Sequence, residues 1–240
     1  MLERDNRIRR KIFLLAGTLC LVSVFAAFAA TATRAGLDVA AAPSEAPDPV
    51  TRPGAGPPQS LKYHLDAGQS RFIVRVFVGG VFSAFGHDHT IAIRDISGEA
   101  SLSPGTLAPA SLQMKIKADS LAVIDKIKES DRQEIEKTMR TEVLETSQHP
   151  EIVFKSTKVE AEKTGEGKYQ TKIWGELTLH GVTRSGLISA EVEVDGNTLR
   201  ARGDFPLKQS DYNIKPVSVA GGTVKVKDSL KFTFNIVARQ

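Results

Sequence analysis

Three stretches of this chain alternate apolar and polar side chains with a period of two, and no helix presents such a pattern on one face. In residues 112–118, Leu112, Met114, Ile116 and Ala118 share one face of an extended strand, with Gln113, Lys115 and Lys117 opposite. In residues 169–179, Tyr169, Thr171, Ile173, Gly175, Leu177 and Leu179 oppose Lys172, Trp174 and Glu176. Residues 230–238 put Leu230, Phe232, Phe234 and Ile236 on one face. Seven further runs read as strands: 71–78, 89–96, 98–103, 151–161, 186–194, 198–207 and 222–227. Turn signals fall between several of them, at Ser103-Pro104-Gly105, Gly165-Glu166-Gly167, Asp195-Gly196-Asn197 and Gly221-Gly222. Many short strands at this spacing predict an all-β sandwich or antiparallel barrel. The inward faces carry more apolar side chains than a thin sheet needs, which favours a barrel that holds an apolar ligand. No internal repeat is visible, and nothing in 61–240 suggests a second domain.

One helix signal interrupts the strands. Residues 131–147 carry Ile135, Met139, Val143 and Leu144 as an amphipathic stripe. Ser130 stands at the N-cap position, with Gln133 three residues on as a capping-box partner. His149-Pro150 ends the helix, because a residue before proline avoids the helical region. Such a helix serves either as a lid across a barrel end or as a strut on its outside.

Ahead of the β region lie a leader, 1–34, and a linker, 35–60. Residues 1–11 are basic, and residues 12–30 form 19 uncharged, mostly apolar positions. Two readings compete. Ala27-Phe28-Ala29 and Ala30-Thr31-Ala32 resemble small-x-small cleavage sites of a signal peptide. The apolar run is also close to the ~20 residues that span a bilayer. The linker holds six of the eleven prolines and few large apolar residues, so it reads as a semi-extended spacer. A spacer suits a retained transmembrane anchor better than a cleaved signal. Either reading predicts export, with a periplasmic or other extracytoplasmic location, anchored to the inner membrane by residues 12–30 if uncleaved.

The leader also explains the charge. Of 32 basic and 28 acidic residues, six and two fall in residues 1–34, so the remainder is balanced. No domain-wide basic footprint is left, and nucleic acid is not an expected partner. The one cysteine, Cys20, lies in the leader, so the β region has no disulfide, thiolate metal ligand or cysteine nucleophile.

Gly86-His87-Asp88-His89 is the sharpest local motif. In a strand, His87 and His89 point the same way, and two imidazoles on one face suit a metal-dependent enzyme. A third ligand would come from elsewhere; His64, His149 and His180 are the remaining histidines. Without metal, the pair would hydrogen-bond locally at a barrel rim or meet a ligand's polar head, since neutral imidazole offers one donor and one acceptor. Asp88 lies beside them, but no serine or threonine is tied to them by spacing. No Gly-x-Ser-x-Gly elbow, HExxH or GxGxxG motif occurs. The sequence therefore predicts no catalytic residues and no enzyme. Phe72, Phe77, Phe82, Phe85, Phe154, Phe205, Phe232 and Phe234 either line a cavity or fill the core in the ordinary way.

Several ordered motifs stand out: Tyr63-His64-Leu65-Asp66 with Ser70, Asp131-Arg132, and His149-Pro150-Glu151-Ile152-Val153-Phe154-Lys155-Ser156. Gly175-Glu176-Leu177-Thr178-Leu179-His180-Gly181-Val182-Thr183-Arg184 is the most specific, and Ser210-Asp211-Tyr212-Asn213-Ile214 follows. Together they resemble the YceI-like family of exported lipid-binding barrels, whose last segment reads Ser-Asp-Phe-Gly-Ile. Members often carry V-x-H-x-G after the first strand, where this chain reads Val78-Gly79-Gly80-Val81-Phe82-Ser83-Ala84-Phe85-Gly86-His87-Asp88-His89. The resemblance implies a lipocalin-like antiparallel barrel enclosing a polyisoprenoid chain, such as a quinone or isoprenoid phosphate, for binding or carriage. No other cofactor is expected. Strand phase makes Leu112, Met114, Ile116, Ile173, Leu177, Phe232 and Phe234 the ligand-binding wall, with His87 and His89 at the mouth. Two alternatives stand beside this reading: the metal-dependent enzyme using His87 and His89, and a structural or stress-response partner protein with a filled barrel.

Overall fold

The computed structural model describes residues 60–80, 87–219 and 223–240. The leader, the linker before Ser60, Phe82, Phe85 and the Gly221-Gly222 turn lie outside these residues. Among the described residues no helix is long and apolar enough to cross a membrane, and the run at 12–30 is not one of them.

The strands are β1 (Leu61–Leu65), β2 (Arg71–Val76), β3 (Val78–Gly79), β4 (His89–Ile93), β5 (Ile96–Ser103), β6 (Leu107–Lys117) and β7 (Leu121–Val123). After helix α1 (Glu129–Thr138) follow β8 (Glu151–Gly165), β9 (Lys168–Leu179), β10 (Val182–Asp195) and β11 (Thr198–Lys208). Then come β12 (Ser218–Val219), β13 (Val224–Val226) and β14 (Ser229–Arg239). Eight of these close an antiparallel barrel in the order β1-β5-β6-β8-β9-β10-β11-β14, with β14 returning to β1 at His64/Arg239 and Leu65/Ala238. The fold is thus the all-β, lipocalin-like barrel with one helix.

The same edge of β14 that meets β1 also pairs with β2, and β2 leads on to β4 and β7. The sheet therefore forks at one end of the barrel. We call that end the mouth. There β12, β13 and β3 add a small second sheet.

Strand phase follows the sequence closely, with one instructive break. The β8–β9 ladder shifts register between Ser156 and Lys158. A bulge inserts one residue, so Ile152 and Phe154 line the interior before it and Val159 after it. Strands β1, β7 and β12, absent from the sequence reading, are short and make their sense only through pairing.

The helix differs from expectation. It begins at Glu129, not 131, and Lys128 at the N-cap provides no side-chain cap. Ser130 lies inside the first turn, its hydroxyl donating to Asp131, and Gln133 reaches Glu129 rather than a cap. Regular helix stops at Thr138, and Met139–Val143 form a wider turn closed by Leu144 N–H to the Met139 carbonyl at 2.9 Å. Tertiary bonds fix the helix instead of a cap. Arg132 donates to the carbonyls of Val123 and Asp125, and the Val123 N–H donates to Glu136 at 3.0 Å. These bonds cover the outer edge of β7, which among the described residues has no strand partner on that side.

Candidate functional site

The inward strand faces leave a hollow of about 1130 Å³, beyond the ~300–1,000 Å³ usual for small-molecule pockets. Its wall is overwhelmingly apolar. β6 gives Leu112, Met114 and Ile116, β9 gives Ile173 and Leu177, and β14 gives Phe232 and Phe234. Leu112, Ile173, Leu177 and Phe232 are only half-buried despite pointing inward, because the hollow leaves them uncovered. The interior is not filled by its own side chains, as a purely structural barrel would require.

Aromatic rings concentrate on one side. Phe205 stacks on Phe232 at 5.0 Å, and Phe72 lies 6.0 Å from both Phe232 and Phe234. Phe154 lies across Gly175: a Cβ there would stand 2.4 Å from the ring, so glycine is what admits it. Phe77 instead sits 5.9 Å beneath the Arg75 guanidinium. The helix completes the wall with Ile135, Met139, Val143 and Leu144, the stripe read from the sequence. It acts as part of the lining rather than as an outer strut.

One end of the hollow is sealed. Tyr63 is fully buried there and its hydroxyl donates to the Gly196 carbonyl at 3.1 Å. Tyr169 donates likewise to Gly105 at 3.2 Å. The mouth is looser. β10 and β11 pair only over Glu191–Asp195 against Thr198–Arg202. Toward the mouth β10 pairs with β9 alone and β11 with β14 alone, and Leu187 beside this seam is 48% exposed. Arg184 bridges the seam near its end by donating to the Asp211 carbonyl at 2.9 Å.

Both histidines of the Gly86–His89 motif line the hollow, but they do not form the expected pair. β4 begins at His89, so His87 lies outside the strand and is exposed; the shared strand face does not exist. Its neighbour Asp88 accepts a hydrogen bond from Val78 N–H at 2.9 Å. His89 Nδ1 contacts the Asp125 carboxylate at 3.0 Å, and that carboxylate also accepts the Thr90 N–H. Burial pushes the Asp125 carboxyl up, but the Thr90 and His89 bonds outweigh it, so its pKa lies below the usual value. The ionised carboxylate needs a proton on Nδ1, which leaves a neutral His89 ring with only Nε2 as acceptor. Among the described residues neither histidine belongs to a three-ligand group.

Sequence reasoning missed three polar features of the mouth. Arg184, whose motif gives no hint of its role, spans the seam between β10 and the turn after β11. Tyr212 lines the hollow, and burial, then the Asp211 carboxylate, hold its hydroxyl above the usual value, so it is a donor at neutral pH. The third is a cluster of Glu145, His149 and His180 beside the wall. Glu145 and His149 lie four residues apart, but only proximity in space joins them to His180 and Tyr212.

The sequence matches the YceI-like domain family over residues 63–238. No curated protein matches it. Among solved structures, Burkholderia cenocepacia BcnA is similar with a TM-score of 0.56 and 19% identity, over 72% of this chain and 98% of that one. A polyisoprenoid binding domain from Saccharophagus degradans, implicated in plant cell wall breakdown, is similar with a TM-score of 0.51 and 14% identity. That alignment covers 74% of this chain and 97% of the other. At these identities the structures testify to a shared barrel, and the motif-rich span from Tyr63 to Ala238 identifies the lineage: this chain belongs to the YceI-like domain family.

Proposed function

We propose that this chain binds an isoprenoid-type lipid, a quinone or polyisoprenoid, in the barrel interior, and carries it outside the cytoplasmic membrane without transforming it. The hollow of about 1130 Å³ with its apolar wall carries the reading. A long hydrocarbon buried there gains about 25 cal/mol for each Å² of apolar area taken from water. The similarity to a polyisoprenoid binding domain supports the same class of ligand. Family membership likewise supports binding rather than catalysis. The basic leader and apolar run support export, with the membrane as partner if the run is retained.

In this reading Leu112, Met114, Ile116, Ile173, Leu177, Phe232 and Phe234 hold the chain, and His87 and His89 meet the head at the mouth. With Nδ1 of His89 spent on Asp125, a neutral ring accepts a hydroxyl, and only a protonated ring donates to a carbonyl or phosphate oxygen. The test is mass spectrometry of an organic extract of the purified full-length protein. A stoichiometric isoprenoid supports the proposal, whereas an extract free of lipid, with no uptake of added quinone or polyprenol, overturns it. Replacing His87 and His89 together with alanine should weaken binding of ligands with a polar head, measured against the same hydrocarbon without one.

A further inference from the structure

We propose that Glu145, His149 and His180 form a metal site for a divalent transition ion, with zinc the best fit. The site is separate from the His87/His89 motif and independent of the lipid reading. One ligand atom from each of the three residues lies within 4.8 Å of the other two. In a tetrahedral zinc site with bonds of about 2.0–2.2 Å, ligand atoms stand ~3.3–3.5 Å apart. His180 Nε2 and Glu145 Oε2 are already 2.8 Å apart, so small side-chain rotations admit an ion.

The orientation of His180 is that of a metal ligand. Its Nδ1 faces the Tyr212 carbonyl at 3.2 Å, and a carbonyl only accepts, so Nδ1 carries a proton. Nε2 then presents its lone pair toward a carboxylate oxygen. Two such atoms at this distance require a cation between them, either a proton or a metal. A ring N–H bound to a backbone carbonyl is also the usual outer-shell support of a metal-bound imidazole. His149 supplies the third ligand. Among the described residues its ring makes no hydrogen bond, and it stands edge-on to His180 with centroids 4.6 Å apart.

The backbone is bent to bring the three together. Glu145 has φ of 45° and His180 φ of 51°, a left-handed region that residues other than glycine seldom adopt. Gly181 follows with φ of 72°, and a Cβ there would stand 2.8 Å from the His149 ring. Three separate segments thus converge: the end of the helical stretch, the β9–β10 turn and, through Tyr212, the turn after β11. Two imidazoles and a carboxylate form a borderline donor set with a fourth position left for water. The side chains of His180 and Glu145 are 13% and 38% exposed, which leaves that position reachable. Leu144, Leu179 and Tyr212 all line the hollow, so the ion would brace its rim.

The test is calorimetric titration of the metal-stripped full-length protein with zinc chloride, followed by cobalt(II) absorption as a report of tetrahedral geometry. One equivalent is expected, together with a rise in Tm. His149→Ala and His180→Ala should each lower zinc affinity by more than the about 10–100-fold that loss of an outer-shell partner costs. Because the His149 ring holds no hydrogen bond among the described residues, His149→Ala should keep the wild-type circular dichroism. The double variant His87→Ala/His89→Ala should bind zinc as the wild type does. Absence of saturable binding, equal affinity in His149→Ala, or loss confined to the His87/His89 variant each overturns the site.

Discussion

At the sealed end of the barrel, Tyr63, Leu102, Val192, Leu199 and Ala238 are buried, and two tyrosine hydroxyls donate to turn carbonyls. At the mouth, β10 and β11 part, and single carboxylates hold the pieces in place. Asp125 ties Thr90 and His89, Glu136 ties Val123 and Arg140, and Asp228 takes both the N–H and the hydroxyl of Ser210. Apolar packing is non-directional and persists through small shifts, whereas each of these bonds depends on one geometry. The molecule therefore pairs a base held by apolar packing with an end where directional polar contacts add to the packing of Met139, Leu144 and Ile214. That division would suit the proposed uptake of a long hydrocarbon chain.

The largest expected effect strikes the wall shared by both ends. Leu177→Asp places an unpaired carboxylate on the apolar face opposite Phe154, at a cost of several kcal/mol. The variant should fail to fold or fail to retain lipid, read by circular dichroism and by extraction. Normal folding with normal lipid content would mean that β9 has the opposite phase.

Next come two substitutions that separate the ends. Tyr63→Ala removes a fully buried ring, and truncation of a buried aromatic costs about 3–5 kcal/mol. Urea unfolding should record that loss as a global one. Glu136→Ala strips the partner from the Val123 N–H and frees Arg140, which by the cost of an unsatisfied buried group is about 1–3 kcal/mol. Hydrogen exchange should rise in β7 and α1 and stay low in β10 and β11 near Gly196. If Glu136→Ala loosened the sealed end equally, the two ends would be one cooperative unit and the contrast would fail.

The same contrast governs how much the sequence discloses. The sealed end and the wall are written in period-two alternation, so the phases of β6, β9 and β14 are legible from Leu112, Ile173 or Phe232 alone. The helix stripe of Ile135, Met139, Val143 and Leu144 is legible too, from its own 3.6-residue period. The mouth is not, because its order rests on pairs distant in sequence. Nothing near Asp125 announces Thr90, and nothing near Glu145 announces His180. The β8 bulge defeats the simple period, and the capping box at Ser130 loses to the Arg132 and Glu136 bonds with β7. The Gly86–His89 motif misleads because a strand was needed to align its histidines, and β4 starts at His89, two residues too late for that.

The smallest expected effect is a response to acid that begins at the mouth. Burial pushes the Glu136 carboxyl up, but the Arg140 contact and the Val123 N–H outweigh it, so its pKa, like that of Asp125, lies below the usual value. In the unfolded chain the two groups titrate near about 4.3 and 3.9. A lowered folded pKa means that the unfolded state takes up protons first as pH falls. The stabilisation is therefore complete above those values and is lost as pH drops below about 4 toward the folded pKa values. Toward the sealed end, the Arg202 contact lowers Glu191 too, but that pair is exposed to solvent, where such pairs contribute little. Protection factors of the Thr90 and Val123 amides, whose acceptors are the two carboxylates, should thus fall at a higher pH than those of Val192 and Leu199. A single profile shared by all four amides would show that acid opens the barrel as a whole, and the mouth would then have no independent freedom to admit a ligand.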